Sequence, residues 1–137
     1  MIRPRSIRDF KTFGEGKFPG WLGIEVLEVS EKRVSARLLI EERHWAPNGY
    51  LHAAVIVGLA DTACGYGCVA GLPDNARGFT TIELKTNFIG AVTAGTLMCE
   101  AELVHGGRTT QVWDAVVSDH TSKKLALFRA TQLILYQ

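Results

Sequence analysis

One carboxylate stands inside a long run of apolar and small residues. From Leu51 to Ala70 the chain reads LHAAVIVGLADTACGYGCVA, and Asp61 is the one acidic residue in it. Taking a carboxylate out of water costs several kcal/mol unless it is paired, hydrated or used. Asp61 therefore has either a structural partner, for which a helix or strand hydroxyl such as Thr62 would serve, or a reaction to run as base or nucleophile.

A second feature lies at the start of the same run. The length and apolarity of the run predict a helix over roughly 51–71, entered at His52-Ala53-Ala54 and stopped near Gly71-Leu72-Pro73. The first N–H groups of a helix have no partner within it, and its dipole favours negative charge there. Such an end polarises a carbonyl and stabilises an oxyanion. Ala53 and Asp61 are eight residues apart, about 12 Å along a helix rising roughly 1.5 Å per residue. One carbonyl cannot touch both on one helix. Two copies of the helix lying antiparallel bring Ala53 of one chain opposite Asp61 of the other, so a joint role for the two features requires a symmetric homodimer with two composite sites.

The remaining polar residues are less pointed. His52 reads as a helix-entry residue whose ring bonds to the preceding loop. Asn48, in the turn signal Pro47-Asn48-Gly49, is a turn residue or a substrate contact in equal measure. Thr80 and Thr81 suit any strand, and either can lie near Asp61. Cys64 and Cys68 are one helical turn apart, but no histidine or acid completes a ligand set; His44, His105 and His120 are scattered, so neither a metal nor a cofactor is expected.

The elements that must position these groups follow from alternation and turns. Residues 1–20 are an arm or short helix. Trp21–Ser30 and Val34–Ile40 read as a hairpin. After the helix come strands over Thr80–Ile89, Gly95–His105, Arg108–Asp119 and Leu125–Tyr136, with a turn at Gly106-Gly107. In the first of these four, Ile82, Leu84 and Phe88 fall on one face and Thr81, Glu83, Lys85 and Asn87 on the other. Two strands, one helix apolar nearly all round and four more strands make an α+β fold: a curved six-stranded antiparallel sheet wrapped around one long central helix.

Composition bounds the function. The 137 residues suit one domain, 1–137, and a net charge of +1 gives no pull toward nucleic acid or an anionic membrane. The 51–70 run is long enough to span a bilayer, but Asp61, His52 and the amphipathic strands argue against a membrane segment. The basic N-terminus is followed by no apolar stretch of the secretory kind. Three cysteines without a paired framework suit a reducing cytoplasm.

The segment Asn48-Gly49-Tyr50-Leu51-His52-Ala53-Ala54, followed by Leu59-Ala60-Asp61-Thr62-Ala63, resembles the His-Gly-Gly…Leu-Ala-Asp pattern of hot-dog-fold acyl-CoA thioesterases, above all the phenylacetate-pathway (PaaI) type. The likeness extends over about residues 20–136. It implies hydrolysis of an aromatic or medium-chain acyl-CoA at the interface of a homodimer, usually within a dimer of dimers. It implies Asp61 as nucleophile or general base, the backbone N–H of Ala53 as oxyanion donor and Thr81 as a hydroxyl assisting the acid. It leaves Asn48, His52 and Ala54 near the substrate and gives a basic side chain, with Arg108 preferred, to the CoA phosphates. Two departures stand out: Ala53-Ala54 replaces Gly-Gly, and Ala46 stands where many relatives carry Asn or Gln. Two other readings share the fold: a dehydratase or hydratase acting on an acyl thioester, and a non-catalytic acyl-CoA binder.

Overall fold

The computed structural model describes residues 3–137. Two short helices come first, α1 over Ile7–Phe13 and α2 over Phe18–Leu22. The hairpin β1 (Ile24–Val29) and β2 (Arg33–Leu39) follows, then a 3-10 turn at Glu42–His44 and the long helix α3, Ala53–Ala70. The chain ends with β3 (Ala76–Phe88), β4 (Thr96–Gly106), β5 (Thr110–Ser118) and β6 (Lys124–Tyr136). The strands form one antiparallel sheet in the order β1-β2-β4-β5-β6-β3.

The sheet covers α3 with one apolar face, because alternate residues along each strand point to the same side. On β5, Gln111, Trp113, Ala115 and Val117 are buried, while the residues between them are half-buried. Alanines at 36, 101, 115, 126 and 130 line much of that inner face and let the helix approach closely. Leu59, Ala60, Ala63, Cys64 and Cys68 are wholly buried on the helix side. By length and hydropathy α3 could cross a membrane, yet 61% of it is buried inside the molecule; it is the core helix of this sheet. The outer face carries exposed cross-strand ion pairs, Glu25–Arg37, Arg33–Glu102 and Asp114–Arg129, which solvent screens.

The N-terminal segment departs from the sequence expectation. Trp21 and Leu22 belong to α2 and not to a strand, because Pro19 starts a helical turn and Gly23, at φ 85°, ends it in the left-handed region. Phe10 and Phe13 of α1 lie 5.6 and 5.5 Å from the Tyr66 ring and cover the second half of α3. The first half is covered less: α2 lays Leu22 and Phe18 against Gly58, while Ala53 and Ala54 are exposed and Val57, Asp61 and Thr62 are half-buried. The helix therefore keeps one open stripe, and Asp61 lies on it.

The face assignment in β3 is corrected as well. Thr81 pairs with Gln132 and Glu83 with Thr131, so Ile82 is an inserted residue, a β-bulge. Beyond the bulge the alternation is reversed. Thr81 shares a face with Leu84, Thr86 and Phe88, the partners of Ala130, Phe128 and Ala126, and not with Glu83 and Lys85. That shared face is the one turned toward α3.

Candidate active site

Asp61 meets β3 through a match of repeat lengths. Phe79 packs at Gly65, where an added Cβ would lie 3.2 Å from its ring. Two residues along a strand advance about 6.6 Å, and four residues along a helix about 6 Å. Moving two residues down β3 and one turn back along α3 brings Thr81 to Asp61. The bulge at Ile82 ends the run of regular pairing just past Thr81 and leaves its hydroxyl aimed inward.

Burial raises the Asp61 carboxyl above its usual value, and the Thr81 hydroxyl on the facing strand pulls it partly back. Thr81 also stands against Gln132, with Oγ1 2.7 Å from Gln132 Oε1. One hydroxyl proton thus faces two acceptors. Gln132 is fully buried on β6. Among the described residues, three buried side-chain polar atoms have no hydrogen-bond partner: Asp61 Oδ1, Gln132 Nε2 and Thr86 Oγ1. Two of the three flank Thr81. Thr62, the local partner considered for Asp61, makes no side-chain hydrogen bond to it among the described residues.

Gln132 carries no signature in a motif. Its signal is positional: Phe128, Ala130 and Ile134 occupy the inward register of β6, and a glutamine takes the fourth place in that apolar series. Its cross-strand neighbour Gln111 is the other buried glutamine, accepting the Trp113 Nε1–H at 2.8 Å. The buried thiols next to this face are inert: Cys64 is raised well above its ordinary value by burial, and burial pushes Cys68 up to about 12.

At the other end, His52 caps α3 with its Nδ1 accepting the Ala54 N–H at 2.9 Å. The ring thus bonds into the helix's own first turn and not to the loop. The loop is tied instead through the backbone, with His52 N–H donating to the His44 carbonyl at 2.9 Å. Val55 N–H donates to the His52 carbonyl. The Ala53 N–H has no partner among the described residues and opens on the exposed stripe. Asn48 sits at the tip of the preceding loop, its Oδ1 accepting the Tyr50 N–H at 3.2 Å, which is the behaviour of a turn residue. Arg108 is on the β4–β5 turn, where its carbonyl accepts the Tyr136 hydroxyl; Tyr136 is four residues along β6 from Gln132, so Arg108 does not join Asp61 within one chain.

His44 is structural. It is buried, its Nδ1 accepts the Glu41 N–H at 2.9 Å, and its Nε2 lies 2.8 Å from the Leu22 carbonyl. The accepting Nδ1 requires the proton on Nε2, so this is a neutral ring pinning the end of α2 to the 3-10 turn. One chain thus gathers Asp61, Thr81 and Gln132 at mid-helix and presents Ala53 N–H separately at the helix start.

Residues 48–126 match the Thioesterase superfamily. A 1,4-dihydroxy-2-naphthoyl-CoA hydrolase of Listeria monocytogenes is 33% identical, the match covering 80% of this chain and 89% of the relative. The acyl-coenzyme A thioesterase PaaI of Escherichia coli is 29% identical, over 79% of this chain and 75% of the relative. In structure, a thioesterase of Haemophilus influenzae superposes with a TM-score of 0.90 at 22% identity, covering 99% of this chain and 96% of the other.

Proposed function

This chain belongs to the thioesterase superfamily and is a thioester hydrolase, and we propose that it cleaves an aromatic or medium-chain acyl-CoA to the free acid and CoA at composite sites of a homodimer, itself paired into a dimer of dimers. One observation carries the reading. A desolvated carboxyl with an unpartnered oxygen and an unengaged helix-start N–H lie on the same open stripe of α3, too far apart to serve one carbonyl within one chain.

A second copy resolves the mismatch. β3 is an edge strand of 13 residues. Ile82, Leu84 and Phe88 on it are exposed, and an open apolar edge of that length is a template for another strand. Pairing two copies there sets their α3 helices side by side and antiparallel. The Ala53 N–H of one copy then polarises the thioester carbonyl beside Asp61 of the other.

The reaction follows from these parts. The oxygen of water bonds to the acyl carbon, the C–S bond breaks, and the water proton passes by way of Asp61 to the departing thiolate. In the nucleophilic form of the same chemistry, Asp61 attacks first and water then cleaves the mixed anhydride. A raised pKa makes Asp61 a stronger base than an exposed aspartate. Thr81 steadies the carboxylate. His52, Asn48 and Ala54 shape the entrance, and Arg108, in no ion pair among the described residues, is assigned to a CoA phosphate. The name of the Listeria relative, a 1,4-dihydroxy-2-naphthoyl-CoA hydrolase, supports an aromatic acyl-CoA. The free thiols fit the cytoplasm.

Hydrolysis is favoured over hydration, which pairs a histidine with the acid: His44 is locked to Leu22 and His52 to its own helix. The test is thiol release from acetyl-, hexanoyl-, palmitoyl-, benzoyl- and phenylacetyl-CoA. Asp61→Asn should lower turnover of the best substrate about 100- to 10,000-fold. Full activity in that variant overturns the reading, and CoA-ester binding without turnover by the wild type would make the protein a binder.

A further inference from the structure

We infer that Gln132 is a positioning residue for the reaction: its amide Nε2 donates to Thr81 Oγ1 and so turns the threonine's single proton onto the Asp61 carboxylate. The inference rests on Asp61 being the reacting acid and adds a buried group, on β6 beside Thr81, that no motif marks.

With Gln132 Oε1 toward Thr81, the hydroxyl proton is spent on the amide at 2.7 Å, and both Gln132 Nε2 and Asp61 Oδ1 stay unpartnered in the interior. Orphaned buried polar atoms are rare and costly. The two ends of an amide are nearly isosteric, so turning it over moves no other atom. Nε2 then donates across the same short gap. Thr81 becomes an acceptor from Gln132 and a donor to Asp61, a charge-assisted bond about twice as strong as the neutral one it replaces. The atom left over is a carbonyl oxygen, a milder loss than an orphaned N–H.

The neighbouring strand supports the same polarity. Gln111 stands opposite Gln132 on β5, and the Trp113 indole can only donate. It binds Gln111 Oε1 at 2.8 Å, so the end of Gln111 left for its neighbours is the donor Nε2. A Gln132 that offers Oε1 on that side and Nε2 to Thr81 agrees with it. The indole is itself fully buried, and an added Cβ at Gly67 would lie 2.2 Å from it. The anchor of the series is therefore rigid.

Within one chain, no charged group among the described residues acts on Asp61. From α3, Cys64 is a buried neutral thiol. From β3, Glu83 and Lys85 face the opposite side of the sheet. From β6, Arg129 is outward, paired with Asp114, and α2 carries no titratable side chain.

The experiment is the pH profile of kcat/KM for the wild type, Thr81→Val, Gln132→Met and the double variant, with the fastest acyl-CoA of the panel and folding checked by circular dichroism. Activity requires ionised Asp61, so weakening the hydrogen bond to it moves the acid limb to higher pH. Thr81→Val should move it by about one unit, the worth of a hydrogen bond to a charged group. Gln132→Met should move it the same way by part of that, and adding it to Thr81→Val should move it no further. A merely structural glutamine would lower stability and leave the limb in place. An unmoved limb in Gln132→Met, or additive shifts in the double variant, overturns the inference. Should Gln132→Met not fold, Gln132→Leu, which removes the amide donor without adding a charge, must raise the limb or the inference falls. Asp61→Asn separates the two readings: if it stays active, the role of Asp61 is wrong; if it is dead while the Gln132 variants keep the wild-type limb, only the role of Gln132 is wrong.

Discussion

His52 Nδ1 accepts the Ala54 N–H at 2.9 Å, and that bond decides which donor the start of α3 offers to a ligand. A ring nitrogen in the capping position satisfies Ala54, Val55 bonds back to the His52 carbonyl, and the Ala53 N–H remains. Removing the ring should therefore act first on stability. His52→Ala is expected to lose about 0.5–2 kcal/mol of unfolding free energy, the worth of a side-chain cap, while His52→Asn keeps most of it. Urea titrations of both variants measure this; an undiminished midpoint in His52→Ala would remove the capping role.

What the sequence makes legible follows from how each feature is encoded. The long helix is readable because an apolar surface on nearly every side requires cover on nearly every side, and only a wrapped sheet supplies it. Asp61 is readable as the one charge in that surface. The β3 face is not: alternation by two predicts Thr81 opposite Leu84, and a single inserted residue at Ile82 reverses it. Bulges depend on which strands pair, which local composition does not carry. Trp21 reads as strand from its apolar neighbours, whereas Pro19 and Gly23 fix a helical turn there. Gln132 stays silent for a related reason. A polar residue in a strand looks like a solvent-facing one until the register places it beside Phe128, Ala130 and Ile134 on the inner face.

Asp61 should cost the fold stability at neutral pH. Its folded pKa is raised, mainly by burial, so the folded state holds the proton more tightly than the unfolded one. Stability from this group is then highest below the unfolded carboxylate value and is lost as pH rises through the folded one. Asp61→Asn, which cannot ionise, should melt higher than the wild type at pH 7, and the difference should vanish near pH 3. Differential scanning fluorimetry across that range reads the effect. A variant that melts lower than the wild type at pH 7 would mean that the carboxylate is paired after all, against its unpartnered Oδ1.

Gly67 and Gly58 are both on α3, and they should respond differently to the same substitution. A Cβ at Gly67 would stand 2.2 Å from Trp113 Cη2 and 2.6 Å from Cζ2. The indole is held by its bond to Gln111 and is wholly buried, so it cannot yield. Overpacking of that kind costs about 1–3 kcal/mol, more than the roughly 1 kcal/mol that alanine gains over glycine in a helix. At Gly58 the obstruction is Leu22 Cδ1 at 2.7 Å and Phe18 Cε1 at 3.2 Å, the far ends of side chains from a short helix. Gly67→Ala is expected to lower the urea midpoint and Gly58→Ala to leave it nearly unchanged. Equal losses in the two would show that α2 is packed as firmly as the tryptophan.

The composite site has a test that a one-chain site cannot pass. Proline is well tolerated at the first helical position, and it carries no N–H. His52 has φ −66° and ψ 133°, a conformation that a following proline accepts. Ala53→Pro thus removes the proposed oxyanion donor with little change in the helix, and Asp61→Asn removes the acid. Each homodimer should lose activity, because both of its sites lack one part. In a heterodimer of the two variants, purified through two different tags, one site lacks both parts and the other is intact. That heterodimer should recover about half of wild-type activity by two-fold symmetry. If donor and acid instead served a site within one chain, every site in the heterodimer would carry a defect, and mixing would restore nothing.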